Sequence, residues 1–247
     1  MRRIRFTVAY DGTGYHGWQV QPGLPTIQGV LEDVFSQIEK KRVHVAGSGR
    51  TDAGVHALAQ VAAVTLENPI PLQNLRRAAN RLLPPQIRVL EAEEAASDFH
   101  PRHDAVAKTY EYRIWRPEVC PPFEWPYVHH YPYPLKVERI LDLAPLLEGE
   151  HDFTCFAASD DRDALGESKV RTVYSSRAFQ QGPCLVYRVR GSGFLKHMVR
   201  NIAGSLIEAG KGNLDERALC RLLSPPCPQK AGPTAPAKGL TLVSVDY

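Results

Sequence analysis

Twice along this chain the apolar pattern runs strand, helix, strand, strand, helix, strand. That order restricts the fold more than any other feature. The first half opens on "RIRFTVAY", where Ile4, Phe6, Val8 and Tyr10 alternate with Arg5, Thr7 and Ala9 at the period of a half-buried strand. A helix is predicted from about Thr26, because Ile27, Val30, Leu31, Val34, Phe35 and Ile38 fall on one stripe. Two strands follow, "RVHVAG" and "HALAQVAAVTL", then a helix from about Pro71 to Leu83 that stops at Pro84-Pro85, and a closing strand "IRVLEAEE". The second half repeats the order with "AVAKTYEYRIW", "LKVERILDLAPLL", "VRTVYSSRAF", "CLVYRVRGS", "LKHMVRNIAGSLIEAG" and "LTLVSVDY", with a short extra helix "LDERALCRLL" before the last strand. Each half therefore reads as a ferredoxin-like, RRM-like β-α-β-β-α-β unit with an antiparallel sheet. The expected class is α+β, with two sheets flanking a central catalytic cleft. The boundary falls near "DFHPRHDA", giving expected domains 1–103 and 104–247. "RPEVCPPFEWPYVHHYPYPL" and "SPPCPQKAGPTAPAKG" are expected to be loops, since proline punctuates both.

The link "AGSGRTDAGVHALAQV" is longer than a hairpin requires. It carries glycines around a charged centre, Arg50-Thr51-Asp52. A plain surface loop accounts for turn residues there, and a lone aspartate in such a loop is ordinarily a turn-former. Asp52 is nonetheless the best chemical candidate in the chain, because competing motifs fail. "GTGYHG" has the spacing G-x-G-x-x-G, but Pro22 and Pro25 postpone the helix that a dinucleotide site needs at once. What remains is a bent loop carrying Tyr15, His16 and Trp18, suited either to base stacking or to core packing. His100 and His103, and the adjacent pair His129-His130, lack a third ligand at convincing spacing, so no metal site is expected. No G-x-S-x-G elbow occurs.

Composition narrows the partners. With 43% hydrophobic and 23% charged residues the chain is that of an ordinary soluble protein. It holds no apolar run long enough to span a bilayer and no apolar signal-peptide core, so no membrane partner is expected. Five cysteines, an odd number without a Cys-x-x-Cys pair, argue against a disulfide framework or zinc ribbon and for a reducing, cytoplasmic setting. Net charge is only +3, but 21 of the 30 basic residues are arginine, the side chain that grips phosphate bidentately and stacks on bases.

Five ordered blocks resemble the TruA-type tRNA pseudouridine synthases: "YDGTGYHGWQVQP", "GSGRTDAGVHALAQV", "DFHPRHDAVAKTYEYRIW", "HDFTCFAA" and "GSGFLKHMVRNIAGSLIEAGKG". The resemblance spans nearly the whole chain. It implies isomerisation of uridine to pseudouridine in the anticodon arm of tRNA, at positions 38, 39 and 40, by a homodimer with the tRNA lying across both subunits. Breaking the N-glycosidic bond and rejoining the ribose to C5 is redox-neutral, so no cofactor is implied. Carried across, the catalytic aspartate is Asp52, the stacking tyrosine Tyr110, the basic partner of the aspartate Arg200, and the arginine that takes the place of the extruded base Arg50. Without the family, core packing is the lesser alternative for Tyr110, and Arg200, off the apolar stripe of its helix, reads as solvated. His56 and Gln60 read as structural neighbours of the loop. The chain departs from the family at "GLTL", where Thr241 stands for the usual tyrosine, and at Pro101, where a small residue is usual. A non-catalytic RNA-binding module is the alternative from another class, although no aromatic RNP signature is obvious. A metal-dependent hydrolase is a third.

Overall fold

Burial alternates along β1 (Arg2–Tyr10) as its sequence does: Ile4, Phe6, Val8 and Tyr10 point into the core. The computed structural model describes residues 1–159, 166–224, 226–227 and 231–247. It divides into two compact units, Met1–Val106 with Thr241–Tyr247, and Ala107–Leu240. The class is α+β with mostly antiparallel pairing.

In the first unit, α1 (Ile27–Glu39) starts where the sequence places it, since Thr26 caps it by accepting from the Gly29 N–H. Its stripe of Ile27, Leu31, Val34 and Phe35 is buried, with Phe35 against Phe6 at 5.0 Å between ring centroids. α2 (Leu72–Leu82) ends before the paired prolines. β1 pairs antiparallel with β3 (His56–Leu66) on one side and β4 (Ile87–Ala95) on the other. The strand expected over "RVHVAG" is shorter: β2 spans only Val45–Gly47. Side chains of α1 take the backbone at and before the start of β2, Glu32 accepting from Val45 N and Ser36 from Val43 N. β2 and β10 (Leu240–Asp246) share the free edge of β3, β2 at Ala62–Val64 and β10, in parallel, at His56–Ala57. Sequence order places β10 with the second half; its pairing places it with the first. The terminal Tyr247 hydroxyl donates to the Pro101 carbonyl at 2.6 Å, and Arg5 lies over its ring at 4.4 Å.

In the second unit, β5 (Ala107–Trp115), β9 (Cys184–Gly191), β8 (Val170–Gln181) and β7 (Gly149–Asp152) lie side by side, all antiparallel. β7 is an addition to the expected order, as is β6 (His129–His130), a two-residue parallel strand on the end of β5 inside the segment expected to be loop. Pro145 ends α3 (Val137–Leu143), which continues as one 3-10 turn. α4 (Met198–Lys211) begins three residues later than its apolar pattern, because His197 at its N-cap adopts φ 61°. α5 (Glu216–Leu222) is the inserted helix, capped by Asp215. The expected loop over 224–239 contains residues 225 and 228–230, which lie outside the described residues. The cysteine count argues against a disulfide framework; the structure corrects this for one pair, Cys155–Cys227, whose Cα atoms are 5.4 Å apart. Proximity across 72 residues of sequence is a tertiary property that spacing does not reveal. Among the described residues no helix is long and apolar enough to cross a membrane.

Candidate active site

The loop between β2 and β3 is held by its backbone and by buried side chains beneath it. Ser48 N donates to Val61 O, and the Ser48 hydroxyl donates to Gln60 Oε1, whose amide in turn donates to Gly49 O at 3.1 Å. Thr51 is buried. Its hydroxyl is 2.8 Å from Tyr10 Oη, and its carbonyl accepts from Trp18 N at 3.0 Å. Val55 N donates back to Asp52 O at 3.1 Å, closing a turn around the aspartate. Thr51 is thus anchored inward while its neighbours Arg50 and Asp52 lie exposed and half-buried.

The glycine loop after β1 packs against this turn. Gly17 has φ +84°, and a Cβ there would stand 2.5 Å from Thr51 O, so only glycine permits the approach. Trp18 is 3% exposed, its indole lying where a Cβ on Gly47 would be 2.5 Å from the ring. Of the two readings of this aromatic loop, Trp18 takes the packing one. His56, buried at the start of β3, accepts from Gly12 N through Nδ1 and lies 3.2 Å from Asp11 Oδ1. His56 and Gln60 therefore brace the loops, the role expected of them. Burial pushes the Tyr10 phenol up to about 12, partly offset by its hydrogen bonds to Thr51 and Gln60.

Tyr110 and Arg200 belong to the second unit, on β5 and α4, two elements that pack together. Tyr110 is 8% exposed, opposite Val189 in register, with Phe194 edge-on to its ring at 5.2 Å and 83°. Arg200 is half-buried, not solvated as its helical position suggests. Its Nε donates to Ala235 O at 2.9 Å, and Ala235 N donates to Arg200 O. That segment is fastened further by Thr234 Oγ1 to Asn201 Oδ1 and Gly232 N to Ser205 Oγ, while Asn201 Nδ2 donates to Phe156 O at 2.6 Å. Three separated motifs meet there: "HDFTCFAA", "HMVRNI" and the Pro-rich loop. His197, three residues before Arg200, has a left-handed φ of 61°, uncommon outside glycine. Apolar periodicity misses it, because φ leaves no trace in hydropathy.

The histidine pairs have other roles. His100 Nδ1 accepts from the backbone N–H groups of Arg102 and His103, making a turn. His129 lies in β6, and its Nδ1 is buried without a hydrogen-bond partner. Burial, with Lys238, Lys211 and His130 nearby, pulls it down to about 4 and keeps it neutral near pH 7. Among the described residues no three His, Cys, Asp or Glu side chains gather as a metal-binding group. Thr241 sits opposite His56 in the parallel register of β10 with β3.

A family model described as tRNA pseudouridine synthase matches residues 7–104 and 143–247. The chain is 67% identical over 248 residues to tRNA pseudouridine synthase A of Solibacter usitatus (strain Ellin6076), with all of both chains covered. It is 42% identical over 247 residues to the protein of that name from Pelobacter propionicus, again covering both chains fully. It is likewise 42% identical, over 251 residues, to that of Lacticaseibacillus casei (strain BL23), with both chains covered in full. The Asp52 loop and the Arg200 helix lie within the matched segments, the Tyr110 strand falls between them, and the full-length relatives cover all three; the chain belongs to the tRNA pseudouridine synthase family.

Proposed function

We propose that this chain converts uridine to pseudouridine at positions 38, 39 and 40 of the tRNA anticodon arm, with Asp52 as the essential carboxylate. The reaction breaks the bond between N1 and the ribose C1′, forms one between C5 and C1′, and moves a proton from C5 to solvent while N1 takes one up, so that product and substrate are isomers. A uridine within the stem must first leave the stack, at a cost of a few kcal/mol. Arg50 fills the space it vacates with a planar guanidinium. Tyr110 holds the flipped uracil by its face, and Arg200 is the basic partner of Asp52. The enzyme works as a cytoplasmic homodimer. One observation carries the reading above all: Thr51 is buried and doubly held, so that Arg50 and Asp52 on either side are displayed from a fixed backbone.

The test is incubation of the purified protein with unmodified tRNA, with and without chelator, followed by mapping of pseudouridine. Asp52→Asn is nearly isosteric and keeps the turn, but cannot act as nucleophile or carboxylate base near neutral pH. The variant is expected to bind tRNA like the parent and to form no pseudouridine even at stoichiometric enzyme. Substantial product from it, with deamidation excluded by mass spectrometry, would overturn the role of Asp52.

A further inference from the structure

The β5–β9–β8 sheet has two faces of different character. On one, the register aligns Tyr110 with Val189 and Ser176, and Tyr112 with Tyr187 and Ala178. The Ser176 hydroxyl there donates to Ala144 O in the turn after α3, so this face carries the helices. Residues one step along each strand project to the opposite face. There the rows are Thr109–Arg190–Ser175, Glu111–Arg188–Arg177 and Arg113–Val186–Phe179. Arg188 donates to Glu111 at 2.6 Å and lies over the Phe179 ring at 5.2 Å. Arg190 lies over the ring of Tyr174 at 5.4 Å, and Arg113 is 3.6 Å from the Glu124 carboxylate. Arg177, Arg188 and Tyr174 are exposed.

This arrangement is not what stability alone selects. Arg177 and Arg188 stand directly opposite across an antiparallel pair, where like charges are destabilising. A surface that concentrates four arginines in three rows, with the exposed ring of Tyr174 beside them, matches a polyanion with planar groups. We propose that this face of the second unit binds the phosphate backbone of RNA, with Arg177 and Arg190 on phosphates and Tyr174 beside them offering a ring for stacking. The proposal rests on the reading that the chain acts on tRNA. The face lies across the sheet from Tyr110, so it grips a part of the tRNA other than the reacting uridine. A second copy of the chain fits poorly, since two such faces would set arginine against arginine, with Glu111 and Glu124 already engaged.

Arg177→Gln/Arg190→Gln leaves the Arg188–Glu111 pair intact. With an unmodified tRNA transcript as probe, the dissociation constant is measured across a salt series, alongside kcat, KM and the molar mass of the free protein. Two lost phosphate contacts are expected to weaken binding by about tenfold near ~0.1 M salt and to flatten the log–log salt slope by roughly 1.4–1.8. The loss should fall on KM rather than kcat, and Arg177→Lys/Arg190→Lys should restore most of it. Unchanged affinity and slope would overturn the proposal. So would a changed molar mass with unchanged KM, which would make the face a contact between copies. Pseudouridine formation by the parent is scored separately: its absence, with salt-dependent binding intact, refutes the isomerase reading and leaves this surface standing.

Discussion

Replacing Tyr10 by Phe tests whether the buried support beneath the loop sets the position of Asp52. The substitution removes one hydroxyl, 2.8 Å from Thr51 Oγ1, and keeps the ring that packs near Trp18. A neutral buried hydrogen bond contributes about 0.5–1.5 kcal/mol net. Stability should therefore fall by about 1 kcal/mol, or roughly 2–4 °C in Tm for a chain of this size. Turnover should fall further, because Thr51 adjoins Asp52 and a shift of about 1 Å in a reacting group can cost about 100-fold. Affinity for tRNA should hold, since Tyr10 is buried. The variant also changes the alkaline limb of stability. Burial holds the folded phenol at about 12, above the unfolded value of about 10. The unfolded state then loses its proton first, so this contribution is complete below about pH 10 and is lost as pH rises towards 12. Two pH units correspond to about 3 kcal/mol at most. Phe removes that portion, while Tyr112 and Tyr187, also pushed up by burial, keep the rest of the slope. Thermal melts, single-turnover rates on unmodified tRNA and urea unfolding between about pH 8 and 11 measure all three effects. Parent-like turnover in a variant that has lost stability would refute the link from Tyr10 through Thr51 to Asp52.

Tyr110→Phe keeps the ring against Phe194 and removes the hydroxyl; if the hydroxyl moves the C5 proton, the variant should fold and bind tRNA yet turn over at least about 100-fold more slowly. Near-normal turnover would leave stacking as its role. Arg200→Lys should keep part of the activity and Arg200→Met almost none, since lysine preserves charge without the planar fork; a Met variant at the parent rate would remove Arg200 from the reaction. Cys227→Ser opens the bridge to Cys155 and should cost about 2–4 kcal/mol by freeing a long loop in the unfolded chain. Reductant should lower the parent's Tm to the variant's and leave the variant unmoved. A parent melt indifferent to reductant would show that the bridge contributes nothing.

Local pattern carried the sequence reading a long way. The period-two run of Ile4, Phe6, Val8 and Tyr10, the stripe of α1 and its Thr26 cap, and the stop at Pro84-Pro85 are each decided by neighbours within a few residues, so they are legible in the chain itself. The ordered blocks around Asp52, Tyr110 and Arg200 carried the family in the same way. Contacts between distant residues decided the rest. β10 lies on the edge of β3 because parallel pairing at His56–Ala57 is a matter of space, with nothing nearby in sequence to announce it. β2 is short because Ser36 and Glu32, side chains of α1, take the N–H groups of Val43 and Val45, before it and at its first residue. Arg200 has the helical position of a solvated residue and is half-buried because Ala235, thirty-five residues on, returns to accept its Nε–H. Cys155 meets Cys227 for the same reason. Hydropathy reports what a residue prefers over the reach of a turn or two; which chain segment arrives to satisfy that preference is settled only when the whole chain has closed on itself.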